Sequence, residues 1–337
     1  MIKGHGDDIY RYKDIRLNFS SNVYNRIDHS GLNDFLSHEM ACIRSYPEPE
    51  PYSLEKAWAA YFHTDPSAVC VTNGATEAIY LIAQVYRESS SVILMPTFSE
   101  YADACRLHQH RIRQVFSLQD ISMPGNGICW LCNPNNPTGE TYDVRDLRRL
   151  VTAFPKCLFV IDQSYAPFTD KEVLSVPETV ELPNVLLLHS MTKQFAVPGL
   201  RLGGVTGNPV LIQQLKRSRM PWSVNALAIK AGLYLLEHET ELQPDLVSLL
   251  REKDRVAEAL EKIGGLEVWN SDTHYMLVCL HYGKASALKQ FLAEEKGILI
   301  RDASNFTGLD ERFFRIAIQS PEENDELIES IKEWMYL

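Results

Sequence analysis

The chain has 337 residues, 45% of them hydrophobic, and its 17 glycines and 17 prolines are scattered, which suits a large buried core and excludes a low-complexity linker. A formal net charge of -11 argues against nonspecific nucleic-acid binding, though a local arginine cluster could still hold an anionic substrate. No apolar run reaches the ~18 residues of a membrane helix, the opening MIKGHGDDIYRY lacks a signal-peptide core, and seven cysteines fit reduced thiols, so a cytoplasmic protein without membrane contact is expected.

Residues 1–45 carry little periodicity and read as an arm that packs on a later domain or on a partner subunit. A large domain is expected over 46–225. Its first signal is VTNGATEAIYLIAQ (71–84), where a strand end meets Asn73-Gly74 and a helix opens at Ala75-Thr76. Gly74 permits a tight turn, and the free N–H groups of a first helical turn attract anions. Four continuously apolar runs then read as buried strands: 91–96, 127–132, 157–162 and 184–190. Helical patterns at 76–89 and 144–154 alternate with them, which predicts an α/β fold with a mostly parallel sheet between helices. His108 and His110 read as surface residues. Cys129 and Cys132, three apart on one strand, read as packed thiols on opposite faces, and no metal site is expected. After residue 225, long helices and short strands at 274–280, 298–301 and 312–318 suggest a smaller α+β domain over 226–337.

In such sheets ligands bind at the carboxyl ends of the strands. LCNPNNPTGE (131–140) is a conformationally restricted turn that would hold the amides of Asn133, Asn135 and Asn136. FVIDQSY (159–165) ends a strand on Asp162, which is costly without a cation, and Tyr165 follows. LLLHSMTK (186–193) delivers Lys193. An anion cradle, a fixed amide, a carboxylate with a tyrosine and a lysine match a ligand with a phosphate, a phenolic oxygen, a basic ring nitrogen and an aldehyde. Pyridoxal 5′-phosphate has these groups, and a lysine with an aspartate facing the ring nitrogen is its usual setting.

NPNNPTG, Asp-x-x-Tyr, SMTK and GLRLG, in this order, resemble the fold-type I pyridoxal-phosphate enzymes of the class I/II aminotransferase superfamily. The chain is similar to the branch holding the histidinol-phosphate aminotransferases and, through GHGDDIY, RMPWSVNALA and ILIRDASNFTGLDERFFRIAI, more nearly to the threonine-phosphate decarboxylases. The resemblance implies a large domain with a seven-stranded-type sheet. It implies that Lys193 joins the cofactor, Asp162 keeps its ring nitrogen protonated, and Asn136 and Tyr165 bind its phenolic oxygen. Phe98 would stack on the ring, and Gly74, Ala75, Thr76, Ser190 and Arg201 would hold the phosphate. Tyr46 would reach the cofactor of a partner subunit, implying a homodimer with shared sites. On the substrate side it implies Arg315 as a carboxylate clamp, and Arg301, His5 and Asn22 as phosphate ligands. The implied reaction is decarboxylation of L-threonine O-3-phosphate to (R)-1-amino-2-propanol O-2-phosphate in cobalamin biosynthesis. Transamination of a histidinol-phosphate-type substrate is the alternative. Gln319 stands where the resemblance leads one to expect a second basic residue, which would weaken anion binding at the rim.

Overall fold

In the computed structural model, which describes residues 7–123 and 125–336, the apolar runs lie side by side. β1 (Leu17–Asn18) lies in the arm. β2 (Val69–Thr72), β3 (Ser90–Leu94), β4 (Arg111–Val115), β5 (Ile128–Cys132), β6 (Leu158–Asp162), β7 (Val185–Ser190) and β8 (Gly203–Gly207) form one seven-stranded sheet. Its order is β2-β8-β7-β6-β5-β3-β4, and β8 alone runs against its neighbours. The mostly parallel α/β sheet expected from the alternation of runs is therefore present.

Every residue of β5, β6 and β7 is buried, because helices cover both faces. Ile79, Ile82, Trp130, Val160 and Leu188 pack on one side, and Leu131, Phe159, Ile161 and Leu187 on the other. Each fully buried large apolar side chain contributes about 1.5–3 kcal/mol. Cys132 belongs to the first layer and Cys129 to the second, so the two thiols do face apart. Edge strand β4 alternates exposed arginines with half-buried residues, and β8 is mostly glycine, so neither reads as an apolar run. The glycines of β8 allow close packing: a Cβ on Gly203 would stand 2.4 Å from the Ala75 nitrogen.

His110 corrects the expectation of a surface pair. It is buried, its Nδ1 accepts from the Ser91 hydroxyl at 2.8 Å, and its Nε2 donates to the Ala83 carbonyl at 2.9 Å. Burial pushes its pKa down and keeps the ring neutral.

The carboxyl-terminal part holds β9 (Leu266–Val268), β10 (Tyr275–Leu280), β11 (Ile298–Leu299), β12 (Arg301–Asp302) and β13 (Phe313–Ala317). An antiparallel sheet runs β12-β13-β10-β9, packed with helices Leu246–Glu261, Ala285–Glu295 and Pro321–Met335. The first part of the arm joins this unit, while its helix Ser30–Glu39 packs beside the large sheet. β1 pairs in parallel with β11, Leu17 and Phe19 enter its core, and Asp8 forms a buried ion pair with Lys289 at 2.7 Å. Helix Ala226–Glu237 instead packs with Leu54, Trp58 and Val71 beside the large sheet, and we propose a domain division near residue 245. Among the described residues, no helix is long and apolar enough to cross a membrane.

Candidate active site

The carboxyl ends of β5, β6 and β7, the start of β8 and the arm surround a cavity of about 270 Å³. The lining brings together Ala75, Thr76, Phe98, Asn136, Asp162 and Tyr165 with Ser190, Lys193, Arg201, Arg301 and Arg315.

Lys193 sits on the short helix Met191–Gln194 that β7 runs into, and its Nζ donates to the Ser21 carbonyl at 2.6 Å. Burial, then the neighbouring charges of Arg315 and Arg201, bring its pKa down to about 8. That leaves roughly a tenth of the lysine neutral at pH 7, far more than an exposed lysine, which favours nucleophilic attack.

Gly74 begins helix Gly74–Val85 with φ +81°, a conformation open to glycine. A Cβ there would lie 2.6 Å from Arg201 Nη2, so the missing side chain lets the guanidinium approach the helix terminus. Gly74 therefore lies behind the wall that Ala75 and Thr76 form. Arg201 is itself left-handed at φ 56°, with Nη1 donating to the Pro198 carbonyl at 3.1 Å. The Ser190 and Thr192 hydroxyls are 2.6 Å apart beside it. Helix terminus, hydroxyls and guanidinium all line the cavity, a combination of donors suited to an anion.

Asp162 is buried at the end of β6 and accepts from the Tyr101 hydroxyl at 2.7 Å and the Ser164 amide at 2.9 Å. Burial holds its carboxyl above the usual range, and these hydrogen bonds only partly offset it. A cation against it would favour the ionised form. The turn after β5 divides its labour. Asn135 spends its amide on Thr97, Pro96 and Thr138, and Asn133 accepts from the Tyr142 amide. Only Asn136 lines the cavity, where its Oδ1 accepts from Arg315 Nη1. Burial raises the Tyr165 hydroxyl to about 12, and it accepts from Asn22 Nδ2 at 3.3 Å. Phe98 stands edge-on to Tyr101 with ring centres 5.8 Å apart.

Arg301 and Arg315 are register partners across β12 and β13, so two buried cations stand side by side. Like charges directly opposite each other are unfavourable. Burial and then Arg315 lower Arg301 to about 10. Arg301 lies over the Phe306 ring at 5.3 Å and donates to Asn305 at 2.7 Å. Arg315 donates to the Ser20 carbonyl at 2.7 Å, and its buried Nε has no partner among the described residues. Both guanidiniums line the cavity.

Other expected residues lie elsewhere. Asn22 is fully buried behind the lining, its amide on Tyr165. Tyr46 is 85% exposed and packs on Trp222 at 5.4 Å, outside the cavity. Gln319 is buried and ties the arm to the small domain through Val23 and Asn25, so it does not form the rim. His5 lies outside the described residues. Sequence reasoning missed Tyr101, which lies in the first turn of helix Glu100–Leu107, just after Phe98. It also missed Asp7, Phe306 and the carbonyls of Ser20 and Ser21. Backbone acceptors leave no trace in residue type.

The donor set fits pyridoxal 5′-phosphate: a cradle for phosphate, a buried carboxylate without a cation on it, an amide and a phenol, and a lysine of lowered pKa. This fold and site define a pyridoxal-phosphate-dependent enzyme.

The chain belongs to the family described as aminotransferase class I and II, whose profile matches residues 15–331. It is 30% identical over 331 residues to the threonine-phosphate decarboxylase of Salmonella typhimurium, covering 94% of this chain and 90% of that one. It is 27% identical over 306 residues to a histidinol-phosphate aminotransferase of Ruminiclostridium cellulolyticum, covering 86% and 83%. The crystal structure of L-threonine-O-3-phosphate decarboxylase from Porphyromonas gingivalis superposes with a TM-score of 0.92 at 37% identity, over 95% of this chain and 100% of that one.

Proposed function

We propose that the chain decarboxylates L-threonine O-3-phosphate to (R)-1-amino-2-propanol O-2-phosphate, a step of cobalamin biosynthesis. The observation that carries this reading is the Arg301–Arg315 register pair, two buried guanidiniums facing one cavity. An amino acid that bears both a carboxylate and a phosphate offers one anion to each. The relatives of this name at 30% and 37% identity support the same reading.

Pyridoxal 5′-phosphate, when bound, supplies an electron sink for the pair left at Cα. Lys193 would hold the cofactor, Asp162 would face its ring nitrogen, and Asn136 and Tyr165 would bind its phenolic oxygen. Ala75, Thr76, Ser190 and Arg201 would take its phosphate, and Phe98 would cover the ring. In a homodimer, Tyr46 would reach the second copy's cofactor phosphate. Arg315 binds the substrate carboxylate through bidentate geometry, and Arg301 binds the phosphate. Together they set the rotation about Cα, which decides whether the carboxylate or the hydrogen leaves. Decarboxylation breaks the bond from Cα to the carboxylate, releases CO2 and takes up one proton at Cα. Lys193, with a pKa of about 8, is suited to deliver that proton from Nζ.

The test is purified holoenzyme with L-threonine O-3-phosphate and no keto acid. Catalytic CO2 release with one equivalent of amine product is expected. Conversion of the cofactor to its amine form without CO2 would make the enzyme an aminotransferase instead, the activity named for the 27% relative.

A further inference from the structure

The geometry points to Glu55 and Arg219 as a positioning pair that sets the phosphate cradle from behind. β2 is the edge of the large sheet, so among the described residues no strand flanks its outer N–H and C=O groups. Side chains replace that strand at Val71. The Val71 amide donates to Glu55 Oε1 at 3.2 Å, and Arg219 Nη1 donates to the Val71 carbonyl at 2.8 Å. Arg219 Nη1 also donates to Glu55 Oε1 at 2.7 Å, so the pair closes on itself. Both side chains are buried, at 1% and 4% exposure. Lys216 binds the second Glu55 oxygen at 2.7 Å, and Glu50 approaches Arg219 at 3.3 Å.

This arrangement lies three residues before Gly74. Thr72 ends β2 and its hydroxyl donates to the Gly74 carbonyl at 2.9 Å. The space at Gly74 is filled by Arg201, and Gly203 leaves no room for a Cβ against Ala75. A shift of β2 therefore moves the helix terminus relative to Arg201. Neither Glu55 nor Arg219 lines the cavity. The clasp fixes the gap that receives the phosphate, and this inference rests on the reading that the phosphate binds at that turn.

The test titrates cofactor-depleted protein with pyridoxal 5′-phosphate and with pyridoxal, which lacks the phosphate, and follows visible absorbance. Arg219→Ala is expected to lower the preference for the phosphorylated form on the order of tenfold and to leave pyridoxal affinity nearly intact. Glu55→Gln keeps an acceptor for the Val71 amide but loses the charge that holds Arg219, so it should shift the same ratio by less. A loss of thermal stability with an unchanged ratio in both variants overturns the proposal. If Arg219→Ala gives no folded protein, Glu55→Gln decides alone, and an unchanged ratio overturns it. Arg201→Ala separates the two claims. If it lowers the ratio while the clasp variants do not, only the clasp fails. If it too leaves the ratio unchanged, the phosphate does not bind at this turn and both claims fail.

Discussion

Lys193 shows how burial makes reactivity. An exposed lysine is almost wholly protonated at neutral pH. Here desolvation, with Arg315 and Arg201 nearby, brings the ammonium down to about 8. The rate at which cofactor-free protein captures pyridoxal 5′-phosphate should therefore rise with pH through about 8 and level off above it. Stopped-flow absorbance against pH checks this, and a rate still rising steeply near the lysine's ordinary 10.5 would refute the shift. Lys193, Asp162 and Arg315 were legible because each is an ionisable residue inside or ending an apolar run. Tyr101 and Asn22 were harder to read. Tyr101 belongs to an ordinary helix, and the role of Asn22 depends on where the arm lies.

At the scale of elements, strand pairing creates the substrate wall. β12 has two residues, yet its register with β13 sets Arg301 opposite Arg315. The sequence shows both arginines but not their adjacency, because register is a property of the pair of strands. The central strands were readable as apolar runs. β4 and β8 were not, because one carries edge charges and the other is shaped by close packing at Gly203. If Arg301 takes the substrate phosphate, Arg301→Ala should raise KM for L-threonine O-3-phosphate by about 10–100-fold. Cofactor affinity should change little. Parallel steady-state kinetics and cofactor titration provide the check, and equal losses in both would assign Arg301 to the cofactor.

At the scale of the whole molecule, two buried histidines tie stability to pH. His189 bonds to Thr206 and His274 to the Asn22 carbonyl, and burial drops each ring from 6.5 to about 3. Between these values the unfolded chain binds protons that the folded chain refuses. Stability is therefore expected to fall as pH drops below about 6.5 toward 3. Asp162, whose carboxyl is held above its usual range, opposes this over part of the window, one group against two. Urea midpoints that stay level between neutral and mildly acidic pH would contradict the burial of these rings. His274 also marks where arm, large domain and small domain meet, an arrangement of the assembled chain that no local pattern encodes.

The pairing of arm and small domain has a consequence for synthesis. Asp8 and Lys289 are 281 residues apart in sequence, and β1 finds its partner β11 at a similar remove. A ribosome emits the arm long before its docking site. Until then Leu17 and Phe19 have no core to enter, and the carbonyls of Ser20 and Ser21 have neither Arg315 nor a settled Lys193 to meet. The large sheet can assemble from nearby segments while the chain is still growing, but the wall of the cavity waits for β12 and β13. The arginine wall of the cavity is thus complete only after β12 and β13 have emerged and paired.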